Sequence, residues 1–434
     1  SGTKFNNASI TSANFSLTSL SGVSFPGTVL NSSDLTGTDL TNADLRTATM
    51  QSVTLNHALL SGANFTEVNL SSAQLASTNV GTADFTGANL SNANLTESTF
   101  NDSTLTGANL TNANLDYGHV DGLDLTTTNM YALKLRHGTM RDANVAGGTI
   151  NSATINYTDL SGTNFAGANL QSIGLTQVDL EDANFTGANL KYATLNSSDF
   201  SGADLESADL SNASLASVRM SATTTLTSAN MSSIYAPSSD FRGVDLTGTN
   251  LTSANLDWVN FTGADLKGAT LTSASMSHAL FVGATFDSTT AMRGVNLTNA
   301  NLAGMNFSSI DMTSSTFDGA ALVGANFSTT ILTGANLNRA DLTDATFTAA
   351  TINNAAVSYA KLAGTSFAGA NLYNSDLRSS VTSADTSFLG ADLTYTYLED
   401  GIFTGVDFTD TTMTNGRATR ASCAGADVRG ATMS

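Results

Sequence analysis

Large apolar residues recur along this chain at every fifth position. From Phe5 to Met220 each multiple of five is Leu, Phe, Met, Ile or Val, and the residue two before it is usually Ala, Gly, Ser, Thr or Val. Neither the helical period of 3.6 nor the strand alternation of 2 produces this spacing. We call the large residue the centre of its five and the residue two before it the small position. The frame slips by one residue three times, near 221–225, 287–291 and 378–387, each time in a Ser/Thr-rich stretch. With those slips allowed, all 21 phenylalanines are centres, whereas none of the nine tyrosines nor Trp258 takes a centre or a small position. So sharp an inside/outside code predicts that centres and small positions together form a buried core, Cys423 included.

A second period lies within the first. Phe5, Phe25, Phe65, Phe85, Phe165 and Phe185 differ by multiples of 20, and Phe286, Phe307, Phe327, Phe347, Phe367, Phe388 and Phe408 follow at steps of 20 or 21. Four fives predict one turn of a coil with four short sides, numbered here from Phe5, Ile10, Phe15 and Leu20, like stacked on like. The slips then act as one-residue corner bulges that leave the sides in step.

The recurring Ala, Asp or Asn, Leu or Phe, as in Ala43-Asp44-Leu45, Ala63-Asn64-Phe65 and Ala88-Asn89-Leu90, resembles the motif of the pentapeptide-repeat family. The resemblance spans nearly the whole chain. It implies an all-β fold without globular domains, a right-handed quadrilateral β-helix of about 21–22 coils running continuously over 1–434. At roughly 4.8 Å per coil that is a rod on the order of 100 Å long. The irregular stretches are Asp116 to Met140 and Gln171 to Leu175, where Leu123, Leu133 and Ile173 take small positions and predict local swelling.

Charge changes the picture little. There are 16 Lys+Arg against 36 Asp+Glu, a net charge of −20 on a chain only 12% charged, and 19 of the acids directly precede a centre, so the surplus belongs to the repeat itself. Scattered basic residues argue against a nucleic-acid partner, and the lack of a run of about 18 apolar residues argues against membrane insertion. A single cysteine excludes an intrachain disulfide. His57, His119, His137 and His278 all point outward in this frame, and no catalytic triad, zinc spacing or phosphate loop appears, so neither enzyme activity nor a cofactor is expected.

Three outward patterns remain. Asp159, Asp179 and Asp199 stack at one-coil steps, a candidate divalent-cation column set against the plainer reading of solvated carboxylates. Asp116/Arg136 and Asp121/Arg141, each 20 apart, read as cross-coil ion pairs, and Asn69, Asn89, Asn109 and Asn129 as an amide ladder. Finally, His57, Tyr117, His137, Tyr157, Trp258, His278 and Tyr359 all fall two residues after a side-three centre, which predicts a lateral interaction face.

The expected function is that of a non-enzymatic structural protein, the subunit of a self-assembling head-to-tail filament, extracellular or at the cell surface, with the cytoplasm as the alternative. The first coil (Phe5, Ile10, Phe15, Leu20) and the last (Met413, Cys423, Val428, Met433) carry no recognisable cap. Each would offer an open β edge to a second copy. The family resemblance implies a different alternative, an acidic DNA mimic that inhibits a type II topoisomerase. An adhesin or scaffold, or an ice-binding rod displaying Thr66, Thr86, Thr106 and Thr126, completes the set.

Overall fold

The structure is a computed structural model and describes residues 3–434. The chain divides into two compact units, Ser1–Val218 and Arg219–Ser434. Each unit is a four-sided parallel β-helix. In the first, the residue before each centre bridges its counterpart 20 residues on, as in Asp44↔Asn64 and Asn164↔Asn184. In the second the spacing is 20 within regular coils, as in Asp245↔Asp265, and 21 where a slip intervenes, as in Arg219↔Asp240, Thr270↔Ala291 and Ser366↔Ser387. Five residues leave room for one bridged position between two corners. Among the described residues four two-residue strands form: β1 (Lys361–Leu362) pairs in parallel with β2 (Val381–Thr382), and β3 (Thr412–Met413) with β4 (Thr432–Met433).

The five-residue grammar follows from where the five backbone N–H groups go. The centre donates to the next coil (Phe25 N–H to the Asp44 carbonyl, 2.7 Å) and the residue before it to the preceding one (Asp44 N–H to Val23, 2.9 Å). The second corner residue also donates to the next coil (Asn42 to Ser61, 3.0 Å), and the small residue closes the corner turn (Ala43 to Leu40, 2.9 Å). That leaves the first corner residue. Its N–H is taken by a side chain: Thr66 N–H donates to Asn64 Oδ1 at 2.9 Å and Thr86 N–H to Asp84 Oδ1 at 2.9 Å. Asp or Asn before the centre is therefore a corner cap, an Asx turn repeated along the stack. The second corner residue lies in the left-handed region, as Asn42 (φ 57°) and Gly62 (φ 70°) do, which accounts for the Gly, Asn and Ser found there.

Every phenylalanine from Phe25 to Phe408 is buried, and side-one rings stack at one-coil steps, 4.9 Å between Phe165 and Phe185 and 4.8 Å between Phe327 and Phe347. Phe5 and Phe15, in the first described coil, are half-buried. Cys423 corrects the expectation of a buried thiol: it is exposed, because it belongs to a coil with no described coil over it. Leu123, Leu133 and Ile173 are buried in their small positions. Glycine at the neighbouring small positions 118 and 138 offsets the added volume, since a Cβ there would collide with the Leu115 or Leu135 side chain.

The slips are corner bulges with one common clip. In Ser221–Thr224, Asp287–Thr290 and Ser383–Thr386 the Thr N–H donates to the first residue's carbonyl (2.9, 3.0 and 3.1 Å). In return the first residue's N–H donates to the Thr hydroxyl (3.1, 3.2 and 3.1 Å). Each Thr is buried at the small position. Thr290 and Thr386 also donate to the carbonyls of Leu266 and Leu362 in the coil below, at 3.1 and 2.7 Å. The side-one rings stay in column across the later two slips, 5.3 Å from Phe286 to Phe307 and 4.8 Å from Phe367 to Phe388.

Candidate interaction surfaces

In the first unit the corner after side three carries Tyr117, His137 and Tyr157 as one stack, with ring centroids 5.1 and 4.8 Å apart and planes within 13°. His137 has a ring on each face. All three residues sit at φ 59–61°, a backbone region that costs a side-chain-bearing residue roughly 1–2 kcal/mol. His57 occupies the same corner but is separated from Tyr117 by the coils of Ser77 and Glu97, whose side chains bond each other at 2.7 Å. In the second unit Trp258 and His278 stack at 4.0 Å, while Tyr359 stands alone and exposed. The expected lateral face thus resolves into two separate stacks. Pattern reading missed two further contacts in the second unit, Tyr373 edge-on to Tyr395 at 5.5 Å and Arg417 over the Tyr397 ring at 5.4 Å.

Beside the Tyr–His–Tyr stack lie Lys134, Arg136 and Arg141, in a chain that has no Lys or Arg from residue 47 to 133. At several corners where the residue before the centre is not Asp or Asn, the cap comes from the coil below. Asp116 Oδ1 accepts the Arg136 N–H at 3.0 Å and Asp121 Oδ1 accepts that of Arg141 at 2.9 Å. The same carboxylates receive the guanidinium groups, at 2.5 and 3.0 Å. Burial works to raise the Asp116 pKa, but the Arg136 hydrogen bonds and charge outweigh it and hold this carboxyl below its ordinary value; Asp121 behaves alike. Both expected ion pairs are therefore present, each doubling as a backbone cap.

The Asp159, Asp179 and Asp199 column stacks as expected, yet each carboxylate is committed to its own corner, accepting the N–H of Ser161, Glu181 or Ser201 at 3.0 Å. Among the described residues no group of three or more His, Cys, Asp or Glu is gathered closely enough to hold a metal ion. Capping also loosens the amide ladder. Asn89 donates to Asn69 at 3.4 Å and Asn109 to Asn89 at 3.3 Å, while each Oδ1 is shared with a backbone N–H.

At the far end of the second unit the coil around Met413 to Ser434 has no described coil over it. A cavity of about 420 Å³ is bounded by Leu393, Leu398, Met413, Gly416, Ala418, Met433 and Ser434, and Val428 and Met433 are exposed. In the first unit Phe5, Ile10, Phe15 and Leu20 are likewise half-exposed centres.

The sequence profile of pentapeptide repeats matches residues 13–51, 50–87, 83–116, 150–182, 183–221, 224–263, 249–287, 292–328 and 330–362. The chain belongs to the pentapeptide-repeat family. Within this pentapeptide-repeat protein the matched segments pass over 117–149, the stretch that holds Tyr117, Lys134, Arg136 and His137. Similar solved structures include HetL, a pentapeptide repeat protein involved in heterocyst differentiation regulation from the cyanobacterium Nostoc sp. strain PCC 7120, at 25% identity over 53% of this chain and 89% of that one, with a TM-score of 0.22. A pentapeptide repeat protein from the Arabidopsis thaliana thylakoid lumen is 28% identical over 28% of this chain and 66% of its own, with a TM-score of 0.16. QnrB1, a plasmid-mediated fluoroquinolone resistance protein, is 19% identical over 47% and 86%, with a TM-score of 0.22. No curated protein matches. No helix among the described residues is long and apolar enough to cross a membrane.

Proposed function

We propose that this pentapeptide-repeat protein is a non-enzymatic structural subunit that joins end to end with copies of itself. The observation that carries the reading is the open apolar coil at Met413 to Ser434, with its 420 Å³ hollow over Leu393 and Leu398. By the register that lets Leu398 N–H donate to Arg417, the N–H groups of Ala418, Cys423 and Val428 point away from the stack. A β edge with unpaired N–H groups and half-exposed centres pairs readily with another edge. Stacking Phe5, Ile10, Phe15 and Leu20 of a second copy over Ala418, Cys423, Val428 and Met433 would cover four centres at once and set the largest ring over the smallest residue. That contact is heterologous and does not close, so it repeats.

Sedimentation velocity and negative-stain microscopy across a concentration series test it. End-to-end oligomers should grow with concentration, and Met433→Asp, which buries a charge in the joint, should hold the chain as a monomer. The Cys423 thiol, exposed now, should become protected from alkylation as assembly proceeds. A wild-type chain that stays monomeric at high concentration defeats the proposal, as does assembly unaffected by Met433→Asp.

A further inference from the structure

Five departures from the repeat fall on side three of the first unit, within three coils of one another. The first is Gly174. Every other bridging position among the described residues carries a side chain, but the column Lys134↔Thr154↔Gly174↔Thr194 is interrupted by glycine. Neither backbone nor packing demands it. Its φ is not in the left-handed region, and a Cβ there would meet Asn156 Oδ1 at 3.5 Å and the Ala153 oxygen at 3.7 Å, ordinary contacts. Glycine at a strand position weakens the strand and marks a place where something else approaches the backbone closely.

The second departure is a depression of about 190 Å³ lined by Lys134, Arg136 and Thr154, directly before that gap. The third is charge: among the described residues Lys134 forms no salt bridge, its charge acting on Asp116 from a distance, and Arg136 keeps its outer edge in solvent while Asp116 holds the inner one. The fourth is backbone. The corners at 136–137 and 156–157 lack the closed turn of the corner below them, where Gly118 N–H meets the Leu115 carbonyl at 2.9 Å. The fifth is the Tyr117–His137–Tyr157 stack, on the corner that follows the side-three column. Places where local rules fail together without a packing reason are where a fold holds something other than itself.

We infer that this face is a binding site for a small molecule bearing an oxyanion, a carboxylate or a phosphate. The oxyanion sits between the Lys134 ammonium and the Arg136 guanidinium, the two groups suited to it by charge and by fork geometry. The body of the ligand lies over Thr154 and the bare backbone of Gly174, with the edge of the Tyr–His–Tyr stack beside it. Glycine at 174, the next position along the column after Thr154, leaves the backbone there without a side chain over it. The depression suits a molecule of monosaccharide size. This site shares no residue with the end coils, so it stands or falls separately from the assembly proposal.

Isothermal titration of the full chain at low ionic strength with three probes tests it: inorganic phosphate, glucose 6-phosphate and glucuronate. Saturable one-to-one binding of at least one probe is expected. Glucuronate alone identifies a sugar acid, glucose 6-phosphate a phosphate ester, and phosphate alone a bare anion site. Lys134→Gln and Gly174→Thr should each weaken it at least tenfold, while Lys191→Gln, a change at a basic residue already paired with Asp209, should leave it within twofold. Gly174→Thr keeps the variant folded by design: threonine is common at this position, so its melting temperature should rise as its affinity falls. No saturable binding of any probe overturns the inference. So does an affinity that survives either of the first two substitutions, or one that Lys191→Gln reduces equally.

Discussion

A single carboxylate can serve two masters at a β-helix corner. Asp116 takes both the Arg136 backbone N–H and the Arg136 guanidinium, and its side chain is nearly buried while that of Arg136 is half in solvent. Asp116→Asn keeps an Oδ1 for the cap and loses only the charge, which at an exposed partner costs up to about 1 kcal/mol. Asp116→Ala loses the cap too and strands a backbone N–H, costing about 1–3 kcal/mol more. Chemical denaturation at pH 7 should separate the two. Because the folded carboxyl titrates below its ordinary value of 3.8, its contribution is fully present above that value and is lost as pH falls through the folded pKa. The gap between wild type and Asp116→Asn should close in strong acid. At this scale the sequence showed the Asp116/Arg136 pairing by its 20-residue spacing, but not the capping, because the spacing says nothing of which way a carboxylate turns. Gly174 is out of place in the established frame, but the frame alone does not show that the backbone there has room for a Cβ.

The corner and its bulge are the units of the next scale. All three bulges pass the extra residue through the same Ser/Asp-x-x-Thr clip, with the threonine hydroxyl buried and bonded in two directions at Thr386. Thr386→Val and Thr290→Val fill the same space but leave the clipped N–H without a partner, and each should lower stability by about 1–3 kcal/mol in thermal or chemical unfolding. Deleting Ala384 restores a regular five at that corner and should be tolerated. Deleting one residue from a regular corner such as 342–345 shifts every following centre out of the core and should abolish cooperative unfolding. Slip positions were readable to within a few residues from the loss of phase. The clip was not, since Ser and Thr are common throughout and only backbone geometry distinguishes these three threonines.

For each unit as a whole, stability is a sum of one coil upon the next. Phe185 stacks on Phe165 and touches Phe200, so Phe185→Ala should cost about 3–5 kcal/mol by denaturation. Hydrogen exchange should show that loss confined to adjacent coils. The fold was legible almost entirely from sequence because one inside/outside code repeats without interruption by loops; the surfaces were legible less well, because outward residues answer to partners that the code does not contain. The backbone bonding has one more consequence. From Phe25 to its acceptor in the Asp44 coil, and likewise among the described residues, a main-chain bond between coils closes a loop of 19 to 22 residues. Each coil therefore meets the same modest entropy of closure, and no native contact waits for a distant part of the chain to be made. On a ribosome the first finished coil is already a template when the next emerges, so folding should keep pace with synthesis, advancing one coil at a time, and nascent chains arrested at successive lengths should gain protease resistance in steps of about twenty residues rather than all at once.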